Sequence, residues 1–77
     1  MGKKKATPEE VGKRLTELRG IRTRTGVARA TEMSYSALYM YETGQRNPPP
    51  ERQKRLADYY GVSVESIFYA HEQRKKR

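Results

Sequence analysis

An all-α fold, a compact bundle of about five short helices, follows from three features of this 77-residue sequence. Apolar residues recur three and four positions apart in five separate stretches, the spacing that lines one face of a helix. Each stretch opens at a residue that favours a helix start: Thr7, Thr23, Ser34, Pro50 and Ser63. Glycine and proline punctuate the intervals, and no stretch alternates apolar with polar as a half-buried strand would.

The first helix is predicted over about 8–19. Thr7 caps it, Pro8 suits the first turn, and Glu10 stands where a capping box needs its acid. Val11, Leu15 and Leu18 form its inner stripe, and Gly20 ends it. A second helix, about 24–31, follows the cap Thr23, with Val27, Ala28 and Thr31 inward and Met33 plugging the turn after it. Ser34 caps a third, about 35–43, whose inward positions are Leu38 and Tyr41. Gly44 after Thr43 supplies a left-handed stop. Pro48, Pro49 and Pro50 force a loop and then open a fourth helix carrying Gln53, Leu56, Ala57 and Tyr60 to Gly61. Ser63 caps a fifth, with Val64, Ile67 and Phe68 inward. The core is predicted as these apolar residues except Val64, together with Val62.

Composition narrows the function. The hydrophobic share of 34% predicts a thin core. Without cysteine, and with His71 alone, no disulfide or metal site is expected, nor any cofactor or small-molecule ligand. No apolar run approaches the ~18 residues of a membrane span. No apolar stretch follows Met1 to Lys5, so a cytoplasmic location is expected. The net charge is +8. Lys3, Lys4 and Lys5 carry three of these charges, and the stretch from His71 to Arg77 carries another three net. The chain divides on this reading into a disordered basic arm at 1–6, one domain at 7–70 and a basic tail at 71–77. Polyanions are the natural partners. The stretch from Arg19 to Arg29 holds four arginines and no acid, which suits one locally.

The second and third helices, with a turn near Glu32 to Ser34, fit a helix-turn-helix. Ala28 gives the small residue where the two meet, Met33 the apolar turn residue, and Leu38 the anchor ten positions on. The run Ala28 to Pro48, with Tyr41-Glu42, Gly44 and Arg46-Asn47-Pro48, resembles the Cro/lambda-repressor-type family, also called the XRE family. The resemblance extends upstream through Val11 to Arg19 and downstream through Leu56 to Phe68, roughly residues 8–69. Two positions depart from it: Glu32 stands where the family usually has glycine, and Thr31 where it has leucine.

That resemblance implies a transcriptional regulator, a small Cro-like repressor, that binds double-stranded DNA at a palindromic operator as a homodimer. The third helix would enter the major groove and read bases through Tyr35, Ser36, Tyr39 and Met40. Arg22, Arg24, Ser34, Thr43, Arg46 and Asn47 would meet the backbone. Arg19 and Glu42 would form a structural ion pair. The reading face lacks Arg, Lys, Asn and Gln, the side chains that bind base edges bidentately, so readout would lean on apolar contact and DNA shape. The two exposed tyrosines also suit a protein interface. The alternatives for the whole chain are an antitoxin of the same fold, and a basic RNA-binding protein, although no single-strand stacking motif is visible. Catalysis is not expected, since Ser34 and Ser36 have no histidine near them in sequence.

Overall fold

The starts and stops read from the sequence are built from hydrogen bonds in the computed structural model, which describes residues 4–70. Five helices follow in order: α1 (Pro8–Arg19), α2 (Arg24–Ala30), α3 (Tyr35–Glu42), α4 (Pro50–Tyr60) and α5 (Val64–Phe68). At the head of α1 the Thr7 hydroxyl accepts from the Glu10 amide, and the Glu10 carboxylate accepts from the Thr7 amide, a complete capping box. Thr23, Ser34 and Ser63 each accept from the amide three residues on, at the heads of α2, α3 and α5. The last turns of α2 and α3 close in the same manner. At α3, the Gln45 amide donates to Met40 O at 2.9 Å and the Gly44 amide to Tyr41 O at 3.3 Å, with Gly44 at φ 80°. At α2, the Met33 amide donates to Ala28 O and the Glu32 amide to Arg29 O, but the left-handed position is held by Glu32 at φ 59°.

All five helices contribute to the core. Val11, Leu15, Val27, Leu38, Leu56 and Ile67 are essentially sealed from solvent, with Ala28, Met33, Tyr41, Ala57 and Phe68 beside them. Leu18, Tyr60, Val62 and Val64 are only partly buried and pack against its rim. The α1–α3 contact is the most extensive, followed by α2–α3. It is close because position 12 is glycine. A Cβ there would overlap the Glu42 carbonyl oxygen, so the two backbones approach as only glycine permits.

Arginines tie distant elements together. Arg14 Nη1 donates at 2.9 Å to the carbonyls of both Ile67 and Tyr69, satisfying the end of α5. Arg55 Nη1 reaches the carbonyls of Thr31 and Glu32 at 3.3 and 3.4 Å, closing the end of α2 from α4. Arg52 Nη1 donates to the Tyr41 hydroxyl at 2.9 Å.

One expectation is corrected. Residues 4–6 are not a disordered arm. Lys5 and Tyr69 form an antiparallel bridge, flanked by hydrogen bonds from the Ala6 amide to Phe68 O (3.0 Å) and from the Ala70 amide to Lys4 O (2.7 Å). Ala6 is buried in the core. The signal was too short for periodicity: one apolar residue, held in place by backbone pairing across the fold. The remaining basic residues of the expected arm and tail, with His71, lie outside the described residues.

Candidate nucleic-acid interface

The site begins with the register of α3. Leu38 and Tyr41 face the core, and the 100° step between residues turns Tyr35, Ser36 and Tyr39 outward, with Met40 half-buried at the flank. Tyr35 is 49% and Tyr39 42% exposed. Four residues apart, their rings stack at a centroid distance of 6.4 Å and an interplanar angle of 12°. Two large, nearly parallel aromatic faces therefore stand on the outer surface of a helix whose inner surface is locked.

Below them lies a charged cluster. Glu42, at the last turn of α3, has a side chain with no solvent exposure. Arg19 Nε donates to both of its carboxylate oxygens, at 3.1 and 2.9 Å. Arg19 Nη1 also donates to Arg22 O at 2.7 Å, fixing the loop between α1 and α2. Sequence reasoning matched Glu42 with Arg19 alone. A second arginine joins: Arg24 Nε donates to Glu42 Oε1 at 2.7 Å. Its guanidinium then lies over the Tyr39 ring, 5.0 Å from the centroid. The hydrogen bond to Glu42 raises the Arg24 pKa above its ordinary value, and the nearby Tyr35 adds to the effect. The sequence assigned Arg24 to phosphate only. No local pattern announces its partner, because Glu42 lies 18 residues away.

The other expected backbone residues divide into groups. Ser34 and Thr43 mark the two ends of α3. The Ser34 hydroxyl caps Ala37, while the Thr43 hydroxyl donates to Tyr39 O at 2.8 Å and accepts from Gln45 Nε2 at 2.8 Å. Gln45, exposed beside Arg46, belongs to this edge and was not singled out from the sequence; an exposed amide next to an exposed guanidinium was the available signal. Arg46 is exposed, its amide held by Met40 O at 3.3 Å. Asn47 lines a cleft of about 220 Å³ with Lys5, Pro48, Gln53 and Tyr69, among others. Arg22 lies apart from the tyrosine pair of α3. Its guanidinium rests 5.7 and 5.9 Å from the rings of Tyr59 and Tyr60, at the end of α4.

Among the described residues no group of His, Asp or Glu is arranged to hold a metal ion, and no helix is long and apolar enough to cross a membrane. An exposed helix presented by a short turn from its neighbour, with cations at its edges, defines a helix-turn-helix DNA-binding regulator. The helix-turn-helix domain family matches residues 7–67, and the chain belongs to it, with Cro and XRE character. The crystal structure of the restriction-modification controller protein C.AhdI from Aeromonas hydrophila is similar, with a TM-score of 0.72 and 25% identity, over 79% of this chain and 96% of that one. No curated protein sequence matches this chain.

Proposed function

We propose that the protein is a Cro-like transcriptional repressor that binds a palindromic duplex operator as a homodimer, with α3 in the major groove. The observation that carries this reading is the outer face of α3, where Tyr35 and Tyr39 stand exposed and stacked above a core-locked face. Tyr35, Ser36, Tyr39 and Met40 meet base edges and thymine methyls. Arg46, Asn47, Ser34 and Thr43, at the ends of the helix, meet phosphates, and Arg22 adds charge at the neighbouring loop. The likeness to a restriction-modification controller protein supports a role in controlling gene expression.

Phosphates are alike in every sequence, so a side chain bound to them sets affinity and register without discriminating; base edges discriminate. Tyr39→Ala is therefore expected to relax preference at one or two base pairs by roughly 1–3 kcal/mol, while Arg46→Ala weakens operator and scrambled duplex alike. The test is selection of bound sites from random duplex DNA, followed by footprinting. The expected product is a palindrome with half-sites about 10 base pairs apart, one turn of the double helix. A single half-site protected at saturation overturns the dimer, and failure to enrich any site overturns sequence-specific binding.

A further inference from the structure

Arginine at position 24 makes contacts that phosphate binding does not need. Its Nε is engaged by a fully buried carboxylate, and its planar head covers one face of an exposed tyrosine that itself stacks on another. The geometry points to Arg24 as a positioning residue for base readout: held by Glu42, it fixes the plane of the Tyr39 ring, and through it that of Tyr35, before DNA arrives. This rests on the reading of α3 as the recognition helix.

The contacts form a continuous series from core to surface. Arg19 and Glu42 join α1 to the end of α3 at 2.9 Å. Glu42 holds Arg24 at 2.7 Å, Arg24 lies 5.0 Å from the Tyr39 centroid, and Tyr39 lies 6.4 Å from Tyr35. An exposed tyrosine on a helix ordinarily samples several rotamers, and ordering it on binding consumes affinity. A guanidinium over the ring adds cation–π attraction and removes alternatives beforehand. The effect should be largest here because α3 has no bidentate base reader, so discrimination depends on where flat apolar faces stand against methyl groups and groove shape. Arginine is suited to the task in a way lysine is not. Its planar fork bonds a carboxylate along one edge while its face stacks on a ring, whereas an ammonium is a point charge without a plane.

The experiment uses the full chain with Arg24→Gln, Arg24→Lys and Tyr39→Leu, and the double variants carrying Tyr39→Leu. Each is titrated on the selected duplex and on a scrambled duplex at several salt concentrations, with folding checked by circular dichroism. Arg24→Gln is expected to lower the selected-to-scrambled affinity ratio about tenfold, with little change on the scrambled duplex or in its salt dependence. Arg24→Lys, which keeps the charge, should lose the ratio similarly. In the Tyr39→Leu background neither change should lower the ratio further. A loss equal on both duplexes, with the salt slope reduced by about 0.9, identifies a phosphate contact instead and overturns the proposal. Restoration by lysine, or additive losses in the double variants, overturns it as well. If Arg24→Gln does not fold, Arg24→Lys and its double variant decide the question. If Tyr39→Leu lowers the ratio and the Arg24 variants do not, the positioning role alone fails. If Tyr39→Leu leaves the ratio unchanged, the reading of α3 fails and takes the proposal with it.

Discussion

Glu42 concentrates more of the structure than any neighbouring side chain. Two guanidinium groups converge on a carboxylate that solvent does not reach. A buried ion pair contributes modestly when complete, yet removing one partner costs about 3–5 kcal/mol because the remaining charge is left without compensation. Small domains have little stability to spare. Glu42→Gln is therefore expected to shift the urea midpoint strongly downward, and a midpoint equal to the parent's would show that the cluster contributes nothing. Tyr60 offers a second test. Burial first, and then the charge of Glu42, push its hydroxyl up to about 12, and that oxygen has no hydrogen-bond partner among the described residues. Below pH 10 the phenol is neutral in both folded and unfolded chains, so its contribution is complete. Between about 10 and 12 the unfolded chain ionises while the folded one does not, and stability falls as pH rises. Tyr60→Phe should lessen the fall in melting temperature across that window. At pH 7 it should match or exceed the parent's stability, since it removes an unpaired buried hydroxyl. An unaltered alkaline profile would count against this account.

Helix ends and helix contacts show what a linear pattern can and cannot carry. The starts of α1, α2, α3 and α5 were legible because capping is local: a hydroxyl and an amide three residues apart. The inward stripes were legible for the same reason. Contacts made by Arg14, Arg24, Arg52 and Arg55 were not, since their partners lie between 11 and 55 residues away and an exposed arginine looks alike in any helix. Nor did the sequence distinguish Gly12 from an ordinary glycine within a helix, although the α1–α3 approach depends on it. Gly12→Ala should destabilise by about 2 kcal/mol or more, because the obstruction is backbone and cannot rotate away. A denaturation curve like the parent's would mean that the helices separate at little cost. The departure noted at Glu32 has the opposite sign. A side chain in the left-handed region costs about 1–2 kcal/mol, part of which glycine would return, less its larger entropy when unfolded. Glu32→Gly should therefore raise stability by about 0.5–1 kcal/mol in a urea titration while leaving DNA binding unchanged.

At the scale of the molecule, charge is distributed unlike the fold. Six of the eight net positive charges fall at 3–5 and 71–77, while the domain between is nearly balanced. Each phosphate neutralised contributes about −0.9 to the slope of log affinity against log salt. Removing 1–3 and 71–77 should flatten that slope and leave the selected-to-scrambled ratio largely intact, as salt titrations of both duplexes would show. Removing 1–6 should in addition lower the melting temperature, because Ala6 leaves the core and the pairing with Phe68 and Ala70 is lost. That pairing has a topological corollary. The Ala70 nitrogen lies 2.7 Å from the Lys4 carbonyl oxygen, so a linker of a few residues would join position 70 back to position 4 and make the backbone a closed ring. Such a ring has no ends to fray, and its unfolded state has less freedom to gain. It could be reopened in the proline-rich loop between α3 and α4, giving a circular permutant in which α4 leads and α3 comes last.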